Sequence, residues 1–268
     1  MRANRLDAVA GLRWIAEAFV VFRVAPMRQL LYGLAFLLAL TVAMSIPLVG
    51  FALVWLLIPA LMVGPHEVAR AAARRMQPSA DLLVAGFRHD FAAQLRLGGA
   101  YLAGMLAVLA ATMPADEGRF AQAMIGMARL DIDELRSPAL QNAMLIGAVL
   151  QTVLLSVLWY APLLVAWKEI ATGKAVFFSA AAAFINWRAF LAYGAGMLLL
   201  FALVLMLALV GATLFGGSGA SQANSAMFAV VWSMLPVWFA GSYLSYRDVF
   251  DGERAAGGER ARSPTIPP

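Results

Sequence analysis

Charged residues cluster along the chain, and the stretches between the clusters are almost wholly apolar. No Asp, Glu, Lys, Arg or His occurs from Gln29 to Pro65. At about 1.5 Å per residue, a single helix of that length would far exceed a hydrocarbon core of about 30 Å, so the run must fold back. Ile46-Pro47-Leu48-Val49-Gly50 at its middle supplies the turn chemistry. The pattern predicts two short helices over 30–46 and 48–64, with a re-entrant hairpin as the competing arrangement. Further apolar runs predict spans over 97–114, 140–164, 189–214 and 223–246. The expected fold class is all-α: a polytopic bundle of six transmembrane helices over residues 29–246.

The polar connections carry their own periodicity. In residues 1–28, Leu12, Ile15, Phe19 and Phe22 recur at helical spacing, with Arg13 and Glu17 on another face. In 81–96, Val84, Phe87, Phe91 and Leu95 share a face, while Arg88, His89, Asp90 and Gln94 lie elsewhere. A third amphipathic stretch covers 168–188. Such segments suit helices lying at the cytoplasmic membrane surface. Five arginines spread over residues 1–28, without a following cleavage site, read as a retained segment and not as a signal peptide. Gly216-Gly217-Ser218-Gly219 reads as a turn, and residues 247–268, rich in Gly, Pro and charge, as a disordered cytoplasmic tail.

Composition sharpens this picture. Of 268 residues, 63% are hydrophobic and 13% charged, against about 25% charged in ordinary soluble domains. Lipid is therefore the solvent, and there is no room for a separate soluble domain. The absence of cysteine excludes disulfides, thiolate catalysis and cysteine-based metal sites. A net charge of +5 would suggest nucleic acid in a soluble protein. Here every Lys and Arg except Arg119, Arg129 and Arg136 falls on alternating connections. That asymmetry places both termini in the cytoplasm. Membrane lipids are the expected partners and nucleic acid is not.

A faint parallel repeat runs through the chain. WLLIPALMVGPHEVAR, AGFRHDFAAQL and the third span parallel LWYAPLLVAWKEI, AFINWRAFLAY and the fifth. Shared demands of membrane hairpins would give the same pattern without duplication.

GLRWIAEAFVVFRVAP, IPLVGFALVWLLIPALMVG and VLWYAPLLVAWKEIATGKAVFFSAAAAFINWRAFLAYG resemble a family of proteobacterial six-helix inner-membrane proteins of unknown function. The resemblance covers most of residues 11–215, with the 115–137 loop and the tail matching least. It implies a bacterial inner-membrane location, and brings no catalytic residue, cofactor or metal ligand to carry over.

Ionisable residues inside a membrane usually mark ion or proton paths. The predicted spans have none, which argues against a carboxylate relay and leaves open carbonyl coordination at a broken helix. Gln151 and Thr152, followed by Ser156, are the strongest midplane polar group; they could contact a solute or join helices. Pro59, Pro162 and Pro236 could free carbonyls to line a cavity or could fit helices together. His66-Glu67 and His89-Asp90 are adjacent pairs whose members diverge on a helix, so neither chelates by itself. Asp131, Asp133 and Glu134 lack the glycine and spacing of a calcium loop. Arg70, Arg74, Arg75, Arg88 and Arg96 make a basic patch suited to anionic headgroups, and also follow from the charge asymmetry alone. No signature of a zinc protease, serine hydrolase or phosphate loop is present, and the expected catalytic, cofactor and metal residues are none. Three functions remain: a non-catalytic module contacting lipid or a partner protein, a small-solute transporter or permease-like subunit, and an intramembrane enzyme.

Overall fold

The computed structural model describes residues 3–88, 90–215 and 220–251, and every regular element among them is helical. The helices are α1 (Ala8–Phe22), α2 (Pro26–Met44), α3 (Val49–Ala73), α4 (Ala85–Arg88), α5 (Phe91–Asp116), α6 (Arg119–Met124), α7 (Ile132–Leu135), α8 (Pro138–Leu158), α9 (Ala161–Lys168), α10 (Thr172–Ile185), α11 (Trp187–Phe215) and α12 (Ala220–Tyr246). Six segments are long and apolar enough to cross a membrane: α2, α3, α5, α8 with α9, α11 and α12 with the turn that follows it. This is an all-α polytopic bundle.

The turn between the first two spans falls where the Ile-Pro-Leu-Val-Gly sequence lies. Leu48 adopts a left-handed backbone (φ 58°) and donates its N–H to the Ile125 carbonyl at 2.7 Å. Both helices exceed the expected short lengths. α3 carries on through Pro59 and Pro65 to Ala73 and so takes in His66, Glu67 and Arg70. Its C-terminus closes on Arg75 (φ 61°), with the Met76 N–H bonded back to the Ala71 carbonyl at 3.0 Å.

The expected surface helix over 81–96 is divided instead. Ala80–Val84 is a 3-10 turn, α4 is a single turn, and Asp90 (φ 37°) caps α5 by accepting the Ala93 N–H at 3.1 Å. Phe91 and Leu95 thus open the third span. His89 lies outside the described residues, as do 216–219 and 252–268, where the glycine turn and most of the tail were expected. Residues 247–251, expected in that tail, form a π-helical turn with Val249 fully buried.

The chain forms two compact units. The first comprises Met1–Gly33, Val68–Ser79 and Ala181–Pro268. Within it α1 packs against α11 and α12. The face of α1 buried within the protein is Ala10, Gly11, Trp14, Ala18 and Val21. Small residues allow close approach: a Cβ at Gly11 would strike the Ala189 carbonyl. Trp14 is thereby fully enclosed, edge-on to Phe190 and Tyr193 with centroids 6.4 and 6.0 Å away. Leu12 remains more than half exposed.

The second unit comprises Leu34–Glu67 and Ala80–Ala180, with α5 packed on α6, α8 and α9. Phe51, Met105, Val108, Leu109 and Ala121 form one buried cluster. Backbone-to-backbone contact recurs here. A Cβ at Gly98 would meet the Leu56 carbonyl, and one at Gly86 the Ala60 carbonyl.

Candidate functional site

The fourth span is broken, and the break collects polar groups in the second unit. α8 ends at Leu158 and α9 begins at Ala161, with Pro162 in its first turn lacking an N–H. The Tyr101 hydroxyl donates to the Leu158 carbonyl at 2.8 Å. The Gln94 amide donates to the Pro162 carbonyl at 3.0 Å. The Tyr160 N–H donates to the Ser179 hydroxyl at 2.9 Å. Gln94, Tyr101, Tyr160 and Ser179 are all buried. Side chains from α5 and α10 therefore satisfy backbone groups that a broken helix could offer to an ion. Among the described residues, Gln94 Oε1 is a buried acceptor without a hydrogen-bond partner. Near this break Trp167 donates its indole N–H to Glu67 at 2.6 Å, beside the buried cluster of Val63, Ala85 and Ala166.

Gln94 was expected on the polar face of a surface helix. It is wholly buried because Asp90 starts α5 early enough to bring the first turns of that helix against α9.

The first unit carries a charged cluster. The Asp248 carboxylate accepts from Trp14 Nε1 at 3.0 Å and from Arg13 Nη2 at 3.2 Å. Arg247 donates to Asp248 at 2.9 Å and to Glu17 at 3.0 Å. Asn4 adds hydrogen bonds to the Asp248 and Val249 carbonyls. Together these contacts tie α1 to the C-terminal end of α12. Asp248 gives no sequence signal beyond being an acid among arginines at the end of the last span.

The residues singled out from sequence stand as follows. Gln151 is half-buried and Thr152 exposed; the Thr152 and Ser156 hydroxyls return to the Ala148 and Thr152 carbonyls of their own helix, both at 2.7 Å. Arg70, Arg74 and Arg75 belong to the first unit, and Arg88 and Arg96 to the second. Arg70 is half-buried and the others are exposed; Arg88 lies 3.9 Å from Asp81. His66 is buried, its Nδ1 within 2.7 Å of the Met62 carbonyl.

The acids of the 115–137 loop organise the chain locally. Asp116 accepts the Gly118 and Phe120 N–H groups at 3.0 and 2.6 Å. Asp131 and Glu134 form a capping box on α7, and Glu134 also pairs with Arg119. The Asp131 backbone N–H, and then Arg119, hold the Glu134 carboxyl below its usual range. These groups border a cavity of about 350 Å³ lined by Asp116, Glu117, Arg119, Glu134 and Ser137 among others.

Comparison with known proteins supplies the remaining context. A Burkholderia thailandensis protein described as a probable inner membrane protein is 32% identical to this chain over 257 residues, covering 93% of this chain and 94% of its relative. The chain belongs to that family of inner membrane proteins. Six long apolar helices agree with a multi-pass member of it. No family model matches this inner membrane protein, and no solved structure matches it.

Proposed function

We propose that this inner membrane protein is a non-catalytic module of the bacterial envelope that acts by contact with lipid and with partner protein, both termini lying in the cytoplasm. The observation that carries this reading is where the polar groups of the spans go. Tyr101 and Gln94 bond to carbonyls at the break in the fourth span, and Thr41, Thr152, Ser156 and Ser233 to carbonyls of their own helices. What is turned outward is apolar. On α11, Leu198, Leu199, Leu203, Leu207 and Leu214 are each more than half exposed. The exposed arginines 74, 75, 88 and 96 add favourable contact with anionic headgroups, at about 1 kcal/mol per residue near the surface.

The test is a solute screen on the purified full-length protein in mild detergent, read by thermal stability, alongside native mass spectrometry of retained lipid. The expected result is stabilisation by anionic lipid and none by small solutes. Stabilisation by a solute, abolished in Gln151→Leu, would replace this reading with transport. Turnover of a lipid extract, abolished in Glu67→Gln or Asp90→Asn, would replace it with an enzyme.

A further inference from the structure

α11 is the most apolar of the six spans, and it starts at Trp187 directly after a turn of chain at Asn186. Asn186 is buried and binds the N-terminal segment to this turn. Its Oδ1 accepts the Leu6 N–H at 2.8 Å, and its Nδ2 donates to the Asn4 carbonyl at 3.0 Å. Residues 4–8 are thereby fixed beside the head of α11. Between them lies a cleft of about 520 Å³ lined by Arg5, Phe184, Ile185 and Trp187. It adjoins one of about 390 Å³ lined by Arg5, Leu6, Asp7, Ala8, Ile185, Trp187 and Arg188.

The charges in this cleft are unbalanced. Among the described residues Arg5 has no ion pair or hydrogen bond, and Arg188 has only the ring of Trp187, 5.3 Å from its guanidinium carbon. Among the described residues Asp7 is the one acid lining it, and its carboxylate accepts the Ala10 N–H at 3.0 Å as the cap of α1. The walls are apolar and open to the surroundings, with Phe184 81% and Trp187 52% exposed. Guanidinium groups and aromatic and aliphatic side chains line these adjoining clefts at the start of a spanning helix, a combination complementary to a phospholipid with an anionic head and apolar chains. Tryptophan and arginine suit a membrane interface, the ring lying at headgroup level and the guanidinium reaching out of the apolar layer.

We propose that Arg5 and Arg188 bind the phosphate of an anionic glycerophospholipid whose acyl chains lie against Phe184, Ile185 and Trp187. The site rests on the lipid-contact reading above and names where and by what chemistry one lipid is held. Arg5 and Arg188 are exposed like the arginines 74, 75, 88 and 96, and what sets them apart is the apolar cleft they line. Arg–phosphate contacts are directional and can be bidentate, so the site distinguishes arginine from lysine.

The experiment is native mass spectrometry of the full-length protein in nanodiscs containing phosphatidylglycerol and phosphatidylethanolamine, released with increasing collision energy. The wild type should keep one phosphatidylglycerol after other lipids have left. Arg5→Gln/Arg188→Gln should lower that retained fraction by tenfold or more, and Arg5→Lys/Arg188→Lys should restore part of it. Arg129→Gln/Arg136→Gln removes the same charge elsewhere and should leave it unchanged. Equal retention in the Arg5→Gln/Arg188→Gln variant overturns the site. If retention falls in Arg74→Gln/Arg75→Gln instead, the lipid-contact reading survives while the site is lost. Equal loss in all variants also overturns it, as a bulk charge effect. Displacement of the lipid by millimolar inorganic phosphate would identify the occupant as a free anion and overturn the lipid assignment.

Discussion

The Trp14 indole nitrogen lies 3.0 Å from an Asp248 carboxylate oxygen, joining residues 234 positions apart. Trp14 is fully buried, and Asp248 sits at the end of the last spanning helix. One hydrogen bond thus links the first helix of the chain to its last described turn, and Arg13, Glu17 and Arg247 surround it with charge.

Asp248→Ala should be among the more damaging single changes at this end of the protein. It leaves Trp14 Nε1 and two guanidinium groups without their shared acceptor, at a cost of about 1–3 kcal/mol for an unsatisfied buried donor. Trp14→Phe removes the donor but keeps most of the ring packing, and should cost less. A double-mutant cycle on thermal unfolding in detergent should give a coupling above about 0.5 kcal/mol, as expected of residues in one network.

Tyr101→Phe should destabilise the second unit by about 1–3 kcal/mol, because it strands the Leu158 carbonyl at the helix break. Ser179→Ala should act similarly through the Tyr160 N–H. Protease susceptibility near residues 158–162 reports the local opening that both changes should cause.

Gly98 and Gly99 make a paired test. Gly98→Ala puts a methyl group into the Leu56 carbonyl, whereas a Cβ at Gly99 meets nothing within 4 Å. Overpacking of this kind costs about 1–3 kcal/mol. Gly99→Ala should be neutral or stabilising by up to about 1 kcal/mol through helix propensity. Thermal midpoints of the two variants should move in opposite directions or differ plainly.

Glu134 should make the 131–137 segment sensitive to acid. Its carboxyl is held below the usual carboxylate range in the folded protein. The stabilisation it gives is therefore present above the unfolded value of about 4.3 and is lost as the pH falls through the lower folded value. Hydrogen exchange in this segment, corrected for intrinsic rates, should be faster in Glu134→Gln than in the wild type at pH 7. The difference should shrink on acidification and vanish once the carboxyl is protonated in the folded protein, at a pH below its usual titration range.

Much of the architecture is legible from charge placement. Six spans follow from the apolar runs, and the reversal at Pro47 follows from its turn residues. Helix ends are less legible, since α3 crosses two prolines and retains His66 and Glu67, a polar end that apolar runs cannot register. Periodicity does not register the protein-facing side of α1, which is built from alanine and glycine around Trp14 and so carries little hydrophobic signal. Gln94 shows the deeper difficulty. A polar residue on an amphipathic wheel reads as solvated unless its partner is known, and here the partner is a carbonyl 68 residues away. The Arg13–Trp14–Asp248 contacts are longer-range still, and pattern within one helix cannot reveal them.

The split composition of the first unit bears on how the protein is made. α1 emerges from the ribosome before every residue of the second unit, whereas its partners α11 and α12 emerge after all of them. At about 5–20 residues per second, translation holds them apart for on the order of ten seconds or more. Through that interval Ala10, Gly11 and Trp14 have no α11 to cover them, and by its end every residue of the second unit has been made. Insertion of α11 and α12 thus closes the first unit around α1, and a chain halted before α12 would carry α1 with one of these two packing partners missing.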